Sequence, residues 1–218
     1  MIGGVLFDVD GTLIDSNDLH AACWLEAFRH FGIVVPYDDI RFQVGKGGDN
    51  LIPSLLPPEL VERLQQDIES FRSDLFKRDY LPKARPFAGA SDLLRHLHDE
   101  GVGLVLATSS KQEELDTHIE KLGCRHLLTA TVSRDDVEHS KPCPDVFEAA
   151  LAKAEAPEGS KVVVVGDTPW DIEAAGRLGI PAIGVLSGGF LEDELAGAAA
   201  IYDGPQHLLA AWPRWLGN

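Results

Sequence analysis

Cysteine is scarce in this chain, and positive charge is scarce beside negative. Cys23, Cys124 and Cys143 are the three cysteines. Their number is odd, they lie far apart, and no pair has the spacing of metal ligands. Neither a disulfide framework nor a thiolate metal site is expected, and reduced intracellular thiols fit the pattern. Lys and Arg total 19 against 35 Asp and Glu, a formal net charge of −16. No basic run is available to neutralise phosphates, which argues against nucleic acid or an anionic membrane as partner. No apolar run reaches the ~18 residues of a membrane span. Residues 1–10 turn acidic too soon for a signal peptide, so the cytoplasm is the expected location. Three familiar signatures are also missing: G-x-x-x-x-G-K-[ST], G-x-G-x-x-G after a strand, and G-x-S-x-G.

What remains is an ordinary globular composition, 44% hydrophobic and 25% charged over 218 residues. That length builds one large domain or two unequal ones. Its most informative stretch is the opening, Val5-Leu6-Phe7-Asp8-Val9-Asp10-Gly11-Thr12-Leu13-Ile14-Asp15. The apolar run 2–7 reads as a buried strand punctuated by Gly11. Carboxylates at i and i+2 beyond a strand repel unless a cation or a proton intervenes. Turn capping by both aspartates is the plainer alternative.

Further apolar runs at 102–107, 161–165 and 180–185 alternate with helical patterns at 111–122, 144–153 and 171–178. Strands without polar alternation, separated by helices, predict an α/β fold: a Rossmann-like parallel sheet flanked by helices. Such sheets bind ligands at the carboxyl ends of their strands. Between Asp15 and Arg85 no strand is evident. Leu19, Cys23, Ala27 and Phe31 recur every fourth residue from a cap at Ser16 or Asn17, and residues 59–80 carry a second apolar face opened by Pro57-Pro58. Residues 16–84 are therefore expected to form an inserted all-helical cap domain, with 1–15 and 85–218 as the α/β core. Hinges are expected near 15–17 and 82–86.

Each later strand ends in polar residues. The second runs into Thr108-Ser109-Ser110-Lys111, which can form an anion-binding nest of hydroxyls and backbone N–H groups, or cap a helix. The third runs into Gly166-Asp167-Thr168-Pro169-Trp170-Asp171, where capping explains either aspartate singly but not both beside a glycine. Ser140-Lys141-Pro142 places a lysine in a short loop that would otherwise pass for a surface residue. Carboxylate and carbonyl oxygens suit Mg²⁺, and a lysine with oriented N–H groups suits phosphoryl oxygens.

In this order, Asp8-Val9-Asp10-Gly11-Thr12-Leu13, Thr108, Lys141-Pro142 and Gly166-Asp167 with Asp171 resemble the four motifs of the haloacid dehalogenase-like (HAD) hydrolase superfamily. The helical insert is similar to the cap of its phosphoglycolate phosphatase and β-phosphoglucomutase branch. The resemblance implies that Asp8 is the nucleophile and Asp10 the general acid and base. It also implies Mg²⁺ held by Asp8, the Asp10 backbone carbonyl and Asp167, with Asp171 as ligand or neighbour. Thr108 and the Ser109 N–H would hold the phosphoryl group, and Lys141 would balance its charge.

Since Asp10 is present, dehalogenation and phosphonate cleavage are disfavoured and hydrolysis of a small phosphorylated metabolite is expected. The competitor is a sugar phosphomutase, because His20 stands where mutases of this branch also carry histidine; a polar residue on the first cap helix is the plain reading. A phosphate- or metal-binding protein without turnover is a third possibility, which the intact motif set opposes. Gly45-Lys46-Gly47-Gly48-Asp49-Asn50 interrupts the helical patterns of the cap. Lys46 is expected to meet an anionic group of the substrate; a helix–helix turn with Asp49 as its cap is the alternative. The sequence specifies no oligomeric state.

Overall fold

Why six short strands share one layer follows from their composition. The computed structural model describes residues 2–212. Strand β1 (Ile2–Phe7) is buried along its whole length, as expected for a strand covered on both faces. It pairs in parallel with β4 (Gly103–Ala107) on one side and β6 (Lys161–Gly166) on the other. With β5 (Ala130–Val132), β7 (Ala182–Val185) and β8 (Ala200–Tyr202) the sheet order is β5-β4-β1-β6-β7-β8, all parallel.

Alternate residues of each strand face opposite layers. Val5, Phe7, Leu104, Leu106, Val163 and Val165 pack with side chains of α5 (Ala90–Asp99), α6 (Gln112–Leu122) and α9 (Pro205–Ala211). Leu6, Val105 and Val164 pack against α7 (Asp145–Lys153) and α8 (Pro169–Arg177). The chain is thus an α/β protein with a Rossmann-like sheet.

Residues between β1 and β4 first form a two-residue ribbon, β2 (Ile14–Asp15) antiparallel to β3 (Arg85–Pro86). Both connections to the helical insert run through this ribbon. The insert contains α1 (Asn17–His30), α2 (Tyr37–Gln43), α3 (Gly48–Leu55) and α4 (Pro58–Leu75), the last continued by a wide helical turn over Phe76–Tyr80. It has its own apolar cluster, centred on Trp24, Phe28, Ile40, Leu51, Ile52 and Ile68. Burying Trp24 and Phe28 there contributes roughly 1.5–3 kcal/mol or more each. No described helix is long and apolar enough to cross a membrane. The three cysteines are free, and burial pushes the thiols of Cys23 and Cys124 up to about 12 and about 11, which leaves them unreactive.

Several elements were not evident from sequence. β5 and β8 are three residues long, too short to show a pattern. Helix α5 follows Gly89, which has φ +78° and no capping side chain, so the usual start signal is missing. The turn before α3 is capped by Gly47 rather than Asp49.

Candidate active site

Three adjacent strands end on the same edge of the sheet, and each delivers one polar residue there: Asp8 after β1, Thr108 after β4 and Asp167 after β6. Gly11 lets the chain turn back at once. Its φ is +80°, and a Cβ there would lie 2.3 Å from the Asp167 carboxylate and 2.2 Å from the Asn17 amide nitrogen. Asp171 sits in the first turn of α8 and closes a capping box with Thr168.

Asp8, Asp167 and Asp171 are buried, and a carboxylate oxygen from each lies within 4.8 Å of the others. Lys141, fully buried, offsets part of this charge: its ammonium contacts Asp8 Oδ1 and lies 2.7 Å from Asp171 Oδ1. Burial lowers the lysine's affinity for its proton, but Asp171 and Asp8 more than reverse this. The Thr12 hydroxyl lies 3.0 Å from Asp8 Oδ2 and 2.9 Å from Asp167 Oδ1. It has one proton to give, so two bare carboxylates cannot both be satisfied by it. Burial pushes Asp8 up to about 7, with Lys141 opposing and Asp171 and Asp10 adding to the rise. Burial, then Asp8 and Asp171, raises Asp167 well above the usual carboxylate range. A cluster that must take up protons when bare, built from hard oxygen donors, fits a small divalent cation.

Asp10 is different. Its Oδ1 accepts from Ser16 at 2.7 Å and from His20 Nε2 at 2.9 Å, and its Oδ2 accepts from Ser110 at 2.8 Å and Thr108 at 3.3 Å. His118 Nε2 lies 3.3 Å from Oδ1. Although burial works upward, His20 and His118 hold Asp10 well below the usual range. Arg72 contacts His20 Nδ1 and can only donate, so Nδ1 accepts and Nε2 carries the proton given to Asp10. Arg72 is anchored in turn by Glu114 at 3.1 Å.

The structure therefore brings Asp8, Asp10, Thr108, Lys141, Asp167, Asp171 and His20 together. Thr108 Oγ1 also accepts from the Ser110 N–H at 3.0 Å. Ser109 lines the same cleft, and its hydroxyl is buried without a partner among the described residues. Lys46 lines the cleft too, but its ammonium is engaged elsewhere: Gln43 at 2.6 Å, Ser54 at 3.1 Å and the Trp170 ring at 3.9 Å. The cleft encloses about 90 Å³ between core and insert, with Trp24, Glu69, Arg72 and Arg134 also on its walls.

Thr12, Ser16, Asn17, Arg72, Glu114 and His118 carry contacts that sequence reasoning did not assign. One signal was available. His118 falls in the stripe Leu115, His118, Ile119, Leu122 of α6, a polar side chain on a buried face.

A family model described as haloacid dehalogenase-like hydrolase matches residues 5–185. The validoxylamine A 7'-phosphate phosphatase of Streptomyces hygroscopicus subsp. limoneus is 30% identical over 187 residues, 84% of each chain. The fructose-1-phosphate phosphatase YqaB of Escherichia coli (strain K12) is 26% identical over 188 residues, 84% of this chain and 95% of that one. Among solved structures, a hydrolase from Pseudomonas syringae is similar with a TM-score of 0.82 at 32% identity, over 97% of this chain and 98% of that chain. With strand-end acids in this arrangement and such relatives over most of its length, the chain belongs to the haloacid dehalogenase-like hydrolase family, and its place there is among the phosphatases.

Proposed function

We propose that the protein is a Mg²⁺-dependent phosphatase of a small phosphomonoester, phosphoglycolate-like or sugar-phosphate-like, working through a phosphoryl group carried on Asp8. The observation that carries this reading is the division of labour between two neighbouring aspartates. Asp8 shares a buried, charge-crowded cluster with Asp167 and Asp171, whereas Asp10 is held apart by four hydrogen-bond donors.

The metal would be held by Asp8, Asp167 and the Asp10 backbone carbonyl, with Asp171 beside it. Asp171 meets Lys141 with one oxygen and Thr168 with the other, so it would hold Lys141 in place as well as serve as ligand or neighbour of the metal. Bound there, Mg²⁺ supplies charge neutralisation for the carboxylates and the phosphoryl oxygens. The Asp8 carboxylate attacks phosphorus; the bond from phosphorus to the leaving oxygen breaks as the bond to Asp8 forms. Asp10 protonates the leaving oxygen. It then takes a proton from water, whose oxygen bonds to phosphorus as the bond to Asp8 breaks. The donors around Asp10 favour its carboxylate, the form in which the second half begins. A phosphoryl dianion beside it shifts Asp10 toward the protonated form needed for the first. Thr108 and the Ser109 N–H would hold the phosphoryl oxygens and Lys141 would balance their charge.

Residues 16–84 would act as a cap domain on a core of 1–15 and 85–218, moving about the β2–β3 ribbon to admit substrate and exclude water. The cleft lies between core and insert, so the insert would bear on the choice of substrate. Lys46 would serve the cap's contact with Trp170 more than the substrate, given where its ammonium lies. The free cysteines support the reduced, cytoplasmic setting the sequence suggests. The test is a panel of phosphorylated metabolites with Mg²⁺, scored by phosphate release. A phosphomutase would use the same Asp8, Asp10 and His20. Isomerisation of a hexose 1-phosphate with a bisphosphate activator, without net phosphate release, would replace the phosphatase reading.

A further inference from the structure

The glycine-rich segment before α3 lines the cleft and also packs closely on the core, and that packing gives it a second role. Gly45 lies so close to the core that a Cβ there would meet Thr168 Cγ2 at 2.7 Å; at Gly47 a Cβ would meet Ser140 Oγ at 2.1 Å. Thr168 caps the helix that bears Asp171, and Ser140 precedes Lys141. The insert therefore rests, through side-chain-free positions, on the two loops that supply the lysine and its carboxylate partner.

Beyond the glycines, two side chains take hold of one of those loops. The Asn50 amide donates to the Ser140 carbonyl at 2.8 Å and to the Lys141 carbonyl at 3.3 Å. The Ser140 N–H donates to Asp49 Oδ2 at 2.9 Å, and Arg134 Nε lies 3.4 Å from Asp49 Oδ1. Ser140 and Lys141 are themselves buried. The Lys141 ammonium at the far end of this side chain joins Asp8 to Asp171. A lysine side chain is long and rotatable, so its backbone must be held if its charge is to stay within hydrogen-bond reach of two carboxylates.

We propose that Asp49 and Asn50 are positioning residues for Lys141: closure of the insert clamps the Ser140–Lys141 backbone and so sets the ammonium against Asp8. The proposal rests on the phosphatase reading, in which Lys141 balances charge at the nucleophile. It separates the two functions of the segment, since the clamp contacts the protein and not the substrate.

The experiment uses the full chain with Asn50→Ala and Asp49→Ala. Each removes one or two hydrogen bonds, and kcat is expected to fall about tenfold, the effect of a loss near 1.4 kcal/mol. KM should change by less than about twofold, and the loss should be equal for a small metabolite ester and for p-nitrophenyl phosphate. On a Lys141→Ala background Asn50→Ala should add little further loss, because the two act as one unit. Hydrogen exchange of the peptide covering 138–147 should quicken in both variants. A raised KM with kcat retained would make these residues substrate contacts and overturn the proposal. So would a full additional loss on the Lys141→Ala background, or unchanged exchange at 138–147. The exchange arm reads the clamp without turnover. Failure of the phosphatase reading would therefore appear as no phosphate release with protection at 138–147 intact.

Discussion

At the scale of single residues, the site is a problem in charge. Four aspartates lie within one small volume, and one buried lysine faces them. The two outcomes differ by environment: Asp10 is stabilised as an anion by donors, while Asp8 and Asp167 are driven toward protonation. For Asp8, whose folded value of about 7 lies above its ordinary 3.8, the metal-free folded state holds an extra proton between roughly pH 4 and 7. The sign is then fixed. Its contribution to metal-free stability is present at the acid end of that window and lost as pH rises through 7. A cation must displace the proton, so Mg²⁺ affinity should strengthen from pH 5 to 8 and then level off, with proton release on binding. Titration calorimetry across that range checks it; an affinity independent of pH would contradict the crowding argument. For Asp10, Asp10→Asn keeps the shape and removes proton transfer, so turnover should drop by about 10²–10⁴ while Mg²⁺ binding persists. A steady-state assay beside a binding titration measures both.

Elements explain which parts of this were visible beforehand. Strands β1, β4 and β6 are apolar along their length because both faces are covered, and the acids that end β1 and β6 interrupt that pattern sharply. The core half of the site was therefore legible as strand plus polar terminus. Contacts made across the insert were not. Arg72 lies on α4, His20 on α1 and Glu114 on α6, and nothing local in those helices states that they meet. Lys46 is a second case, a side chain that lines the cleft while its ammonium lies against the Trp170 ring. A lysine among glycines reads as a ligand-seeking charge, and the glycines also serve close approach to Thr168 and Ser140. At this scale the insert's own core is testable. Phe28 is fully buried among Trp24, Ile40 and Leu51. Phe28→Ala should cost about 3–5 kcal/mol of stability by cavity formation. In denaturant melts this would appear as early unfolding, and a shift within ~0.5 kcal/mol would mean the cluster does not hold the insert together.

Across the whole molecule, the net charge of −16 opposes the approach of an anionic ester. Cations do line the cleft: Lys46, Arg72, Lys111 and Arg134 stand on its walls. Raising ionic strength from about 0.01 to 0.15 M shortens the screening length from ~30 to ~8 Å, which weakens the distant repulsion more than the contacts within the cleft. A rise of a fewfold in kcat/KM for an anionic substrate is expected; a steady fall with salt would show that the local cations govern approach.

All of these effects serve one claim, that Asp8 carries the phosphoryl group. The measurement that bears on it most directly is phosphate release by Asp8→Asn, with the wild type's best substrate and Mg²⁺. Asparagine preserves the fold and most of the buried contacts but cannot form the same phosphoryl bond, so turnover should fall by more than about a thousandfold while the melting curve stays cooperative. Phosphate release near the wild-type rate from a folded Asp8→Asn protein would contradict the account.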